Sequence, residues 1–238
     1  ASHAHYSAMS YLAERVLTLD ELIAYVGTHP RNPRIEWVSD SLARRLVRAG
    51  RWKDARGYFS ADMRKELDDY IAAIRKGHDS KNGKAQRAEA FWTAAEAAEK
   101  RGMKLMGYNT GWYGANPDGT FHPWREFSRI SAAAVFTVAP VSKDERRRVG
   151  LQRPRRIERW HYLYEAVGHA WRACKLMPDN DEKTARRLCQ AGTWIKYRDP
   201  EAAEPFYKAL VLRCGDTDLG KEAARLRWLP KIALDSTE

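Results

Sequence analysis

His161, Glu165 and His169 stand four residues apart and share one face of any helix that runs through them. Two imidazoles and a carboxylate form a ligand set that zinc accepts, with water in the fourth position. Eight residues of helix rise about 12 Å, too far for all three to hold one ion unaided. The same face reads equally as the flank of an apolar stripe, with Glu165 solvated or paired to Arg172. No metal site is assigned, and these three are the nearest approach to one. A second group lies between Tyr108 and Trp124, where Trp112, Tyr113, Phe121 and His122 alternate with Asn109, Asn116 and Asp118. Aromatic faces beside amides suit a sugar or peptide platform, and the same rings would also plug a long loop onto a scaffold. The third group is basic. From Lys143 to Arg159 eight cationic residues face only Asp144, Glu145 and Glu158. Within it, Arg146, Arg147, Arg148, Arg155 and Arg156 suit phosphates or an acidic partner, and phosphate binding there would weaken steeply with salt. No aromatic residue interrupts that run and no nucleic-acid module surrounds it, so a solvated linker explains it equally.

The sequence carries no G-x-S-x-G, H-E-x-x-H, P-loop or G-x-G-x-x-G pattern. No catalytic residue and no cofactor follow from it, and the expectation is of a protein without an active site. Nothing pairs two carboxylates across a cleft, so glycosidase-type acid/base chemistry is neither supported nor excluded.

The scaffold that must position these groups is bounded by composition. The 238 residues are 44% hydrophobic and 31% charged, with a mean hydropathy of -0.67 and a net charge of +11. No run approaches the roughly 18 to 20 apolar residues that cross a bilayer. Cys174, Cys189 and Cys214 are too few for a disulfide framework and read as small buried apolar residues. The chain starts at Ala1, as a mature form would after removal of a signal peptide, which would make it secreted or periplasmic, or as a piece of a longer protein would. The compartment and the oligomeric state stay open.

Helical signals dominate. Thr18-x-x-Glu21 is a capping box for a helix ending near Gly27. Val38, Leu42, Leu46 and Val47 recur at helical spacing until Gly50, and a helix with Trp52, Ala55 and Phe59 follows. Ser60 caps a helix that ends at Gly77, and Ala88 to Gly102 is an alanine-rich helix. The segment 107–122 is an irregular Gly and aromatic loop; Pro123 opens a helix through Trp124, and 134–140 reads as helix or as a short extended piece. Ser142-x-x-Glu145 caps a basic turn. Trp160, Tyr164, Val167, Trp171 and Cys174 form one stripe of a long helix, after which Asp181, Asp199-Pro200 and Thr217 open three more, the last closed by Pro230. The fold expected is all-α: a single helical domain over 1–238, with a division into halves 1–106 and 123–238 joined by the loop 107–122.

Between Asp181 and Cys214, Ala202, Phe206, Ala209 and Leu210 keep the order of small and large packing residues seen in the second helix of a tetratricopeptide repeat, and Pro178-Asp179-Asn180 marks the preceding junction. Leu42-Ala43, Leu46, Gly50, Trp52, Ala55 and Phe59 keep the same order and spacing earlier in the chain. Over these two stretches the sequence resembles the tetratricopeptide-repeat family. The resemblance implies antiparallel helical hairpins stacked as a right-handed superhelix, in which small residues let helices touch and rings fill the layers. It also implies a concave groove lined by first helices: Trp37, Asp40, Arg44, Val47 and Arg48 in one unit, Glu182, Ala185 and Cys189 in the other. The paired Lys and Asn pattern with which some members clamp a peptide carboxylate is absent.

The function expected is a non-catalytic scaffold that binds a protein or peptide, part of a larger bacterial protein or assembly. Trp37, Arg44 and Arg48 in the groove and Trp112 and Trp124 in the loop are the binding candidates. The alternatives are a basic nucleic-acid binder, and an envelope carbohydrate-binding protein or hydrolase using the central loop.

Overall fold

The computed structural model describes residues 9–29, 36–108, 142–151 and 161–232. Among them there is no strand, and ten α-helices and one π-helical turn, Leu12–Val16, account for the regular structure. We number the helices α1 (Leu19–Thr28), α2 (Glu36–Arg48), α3 (Trp52–Arg56), α4 (Ala61–His78), α5 (Lys84–Met106), α6 (Lys143–Leu151), α7 (Tyr162–Leu176), α8 (Glu182–Ile195), α9 (Pro200–Arg213) and α10 (Asp218–Leu226). The all-α expectation is met. No helix is long and apolar enough to cross a membrane among the described residues. The chain forms two compact units, each assembled from two stretches: 1–67 with 101–162, and 68–100 with 163–238.

The first unit is capped as its sequence dictates. Thr18 Oγ1 accepts from the Glu21 amide at 3.2 Å, and the Glu21 carboxylate accepts from the Thr18 amide at 2.8 Å, closing the capping box. Gly50 ends the α2 segment with φ +74, a left-handed conformation that glycine adopts without strain. Leu22, Val38, Leu42, Ala43, Leu46, Ala55 and Leu105 are buried from α1, α2, α3 and α5. Two expectations are corrected here. The helix after Arg51 lasts only five residues: the amides of Gly57 and Tyr58 turn to the carbonyls of Asp54 and Ala55, so Phe59 reaches the core from outside a helix. The alanine-rich helix also runs through Gly102 to Met106. Gly102 is a close approach instead of a stop, since a Cβ there would lie 2.4 Å from the Tyr162 ring.

The second unit has an apolar core. Phe91, Trp92 and Ala95 from α5 meet Tyr164, Val167, Ala170 and Cys174 from α7, Ala185, Leu188, Cys189 and Ile195 from α8, Phe206 and Leu210 from α9, and Ala223 from α10. The three final helices are capped at 181, 199 and 217, an even step: Asp181 accepts from Thr184, Asp199 from Ala202 and Thr217 from Gly220. Gly192 admits Leu229, whose Cδ1 would stand 2.6 Å from an added Cβ. The last helix stops at Leu226, ahead of Pro230, where Arg227 turns left-handed at φ 54. Cys174, Cys189 and Cys214 are free and buried, as their expected packing role requires.

Candidate functional site

An open hollow of about 510 Å³ lies in the second unit, lined by Trp171 and Lys175 of α7, Met177, Pro178 and Asp179 of the following junction, and Arg213 of α9. Its shape follows from the junction. Asn180 takes a left-handed φ of 51, a conformation asparagine tolerates better than most residues, and this turns the chain between α7 and α8. Its amide donates to the Arg213 carbonyl at 2.8 Å; its side chain donates to the Asp216 carboxylate at 2.6 Å and accepts from the Asp216 amide at 3.2 Å. The Arg213 guanidinium in turn donates to the carbonyls of Cys174 (2.9 Å) and Met177 (2.8 Å), which end α7, and to Asp179 (2.6 Å). A cation at the C-terminus of a helix satisfies carbonyls that have no partner within the helix. The hollow is therefore rigid on one side.

Its floor is aromatic. The Trp171 ring meets Phe206 edge to face, with centroids 5.1 Å apart and planes at 77°. The Lys175 ammonium lies 5.7 Å over the same ring. An aromatic face, a thioether and a proline ring with charges at the rim form a surface suited to binding. Burial pushes the thiol of Cys174 up to about 12 and that of Cys189 up to about 11, which disfavours the reactive thiolate at both.

The groove residues expected from sequence lie elsewhere. Arg44 is buried, with its guanidinium 3.3 Å from the Ser41 hydroxyl. Arg48 donates to the carbonyls of Met106 and Gly107, each at 3.0 Å, forms an ion pair with Glu14, and stacks 3.8 Å over the Tyr108 ring. Val47, Ala185 and Cys189 face the core; Trp37 is half-buried, and Asp40 and Glu182 are exposed. Trp112, Trp124, Arg155 and Arg156 lie outside the described residues, as do the loop beyond Tyr108, the helix expected at Pro123 and the segment 134–140.

Of the basic run, Arg146 and Arg147 are exposed on α6 and Arg148 is half-buried. Arg147 pairs with Asp144 at 2.6 Å. Arg148 reaches Asp144 and Glu21, each at 2.7 Å, and its hydrogen bonds hold the Glu21 carboxyl down to about 2. Nor are the three metal candidates gathered. His161 is buried just ahead of α7 and Glu165 is exposed, whereas His169 packs against Tyr70. Among the described residues no group of three or more His, Cys, Asp or Glu side chains could hold an ion.

Comparison with known protein families, curated proteins and solved structures found no match.

Sequence reasoning placed Trp171 on its stripe and the junction at Pro178-Asp179-Asn180, but did not bring Lys175, Met177 and Arg213 to them. The signal was available: Asn180 and Asp216 are 36 residues apart, each just before a helix cap, and that recurrence marks the junctions as equivalent.

Proposed function

We propose that the protein is a non-catalytic helical-repeat scaffold of the tetratricopeptide type that binds a protein or peptide partner through the hollow of its second unit. The observation that carries this reading is the recurrence of α8 as α10, with caps at Asp181 and Thr217 and the junction residues Asn180 and Asp216 bonded across the 36-residue step. A recurring junction joins like units whose helices bury one face against each other and leave another open. Small residues stand where the family needs close approach: Ala185, Ala191 and Gly192 on α8, and Ala203 and Ala209 on α9, are all buried. Of the groove arginines of the first unit, Arg44 is buried and Arg48 is held by Glu14 and the carbonyls of Met106 and Gly107, so this reading rests on Trp171, Lys175 and Met177 instead.

Selection from a displayed random-peptide library on the immobilised chain tests the reading, with Trp171→Ala as the counter-screen. One peptide family enriched on the native chain and lost on the variant is expected. No enrichment above heat-denatured chain, or enrichment that the variant retains, contradicts it.

A further inference from the structure

The hollow carries one charge that the fold leaves unanswered. Among the described residues its lining holds two cations, Lys175 and Arg213, and one carboxylate, Asp179. Arg213 directs its guanidinium into the chain, to Asp179 at 2.6 Å and to the carbonyls of Cys174 and Met177. Lys175 stands in the last turn of α7, where a lysine commonly answers the carbonyls that end a helix. Here Arg213 arrives from α9 to do that, and Lys175 stays exposed. The Lys175 ammonium lies 5.7 Å over the Trp171 ring, and among the described residues no carboxylate pairs with it.

That placement dictates what a partner must bring. Trp171, Met177 and Pro178 offer apolar contact, and a carboxylate bound to Lys175 rests beside whatever side chain covers the ring. An extended peptide advances about 3.3–3.6 Å per residue, so the two groups come from positions one or two apart. A cationic partner gains nothing comparable, since Lys175 repels it and Asp179 is already held by Arg213. We propose that the hollow selects a peptide segment that is both acidic and apolar. An aliphatic or aromatic side chain sits on Trp171, and an Asp or Glu side chain within two positions of it pairs with Lys175. The inference rests on the partner-binding reading above and adds the partner's chemistry. A chain-terminal carboxylate is the poorer match, because its capture takes several converging donors and Lys175 is a single ammonium. The net charge of +11 draws acidic peptides to the whole surface, so only a charge exchange at Lys175 locates the pair.

The test runs the random-peptide selection on the full native chain, resynthesises the enriched peptides with amidated C-termini, and titrates them against native chain, Lys175→Met, Lys175→Glu and Trp171→Ala. The enriched family is expected to carry Asp or Glu within two positions of its apolar anchor. Lys175→Met weakens its peptides by about twofold to fivefold, as loss of an exposed ion pair does, and Lys175→Glu weakens them further. Exchanging the acid of the peptide for Lys restores binding to Lys175→Glu and not to the native chain, and Trp171→Ala loses both peptides. A family that Trp171→Ala loses but that has no acid beside its anchor, that Lys175→Glu binds undiminished, or that needs a free C-terminal carboxylate overturns the acidic assignment and leaves the partner-binding reading standing. No enrichment at all overturns both.

Discussion

The two units solve the problem of packing short helices in opposite ways. In the first, arginines do much of the joining: Arg45 donates to the carbonyls of Ala13 and Leu17, Arg15 to that of Val149 at 3.0 Å, and Arg48 to those of Met106 and Gly107. In the second, alanines and glycine at the helix seams let apolar side chains interlock, and a buried arginine packs on an aromatic ring. There Arg187 pairs with Glu89 through two bonds, at 2.9 and 2.6 Å, and covers the Trp92 ring, which stacks on Trp194. Burial lowers Arg45 to about 10, yet it stays charged at neutral pH, so the first unit depends on keeping its carbonyl acceptors in place. A core of that kind is specific and brittle, because each buried charge left without its partner is costly. An apolar core responds to volume instead.

The largest expected effect breaks the first unit through its charges. Arg48→Ala leaves the fully buried Glu14 side chain without its ion pair and costs about 3–5 kcal/mol. The double change Glu14→Leu with Arg48→Met costs less than the single one, and exchange protection of residues 36–48 measures both. In the second unit the comparable lever is acid. The folded His169 titrates at about 4 against an ordinary 6.5, so the unfolded chain takes up the proton first. Stability is full above about 6.5, falls with the pH, and levels off below about 4 after a loss of about 3 kcal/mol. Urea unfolding across that range, compared with His169→Phe, reads the difference.

How far these differences could be read beforehand depends on how local their causes are. The capping box at Thr18 and the caps at Asp181, Asp199 and Thr217 involve residues three apart, and the sequence showed them. The burial of Arg44 and Arg45 and the engagement of Arg48 were not legible. An arginine on a helix is expected in water, and the carbonyls that hold Arg45 and Arg48 come from residues 28 to 59 positions away. Gly102 misled for the same reason: a glycine inside a helical pattern signals a stop unless the ring it admits, that of Tyr162, is known. The early end of α3, ahead of Phe59, and the π-helical turn had no periodicity to announce them. The hollow was half legible, through Trp171 and the break at Pro178, and its other wall arrives from α9.

Smaller effects sharpen the contrast. Gly192→Ala forces a methyl against Leu229 and Phe206 and costs about 1–3 kcal/mol by denaturant unfolding. Gly27→Ala in the first unit, where an added Cβ meets nothing within 4 Å, brings no such clash. Asp181→Ala removes the bond to the Thr184 amide and costs about 1 kcal/mol, seen as faster exchange in the first turn of α8. Arg147→Ala breaks an exposed pair with Asp144 and leaves the denaturant midpoint essentially unchanged.

Partner binding by the second unit is tested most directly by an exchange footprint of the full chain with and without the peptide enriched in the selection. Protection confined to residues 171–179 and the end of α9 around Arg213, with residues 36–48 unchanged, is the predicted result. Protection on α2 with none at the hollow would contradict it.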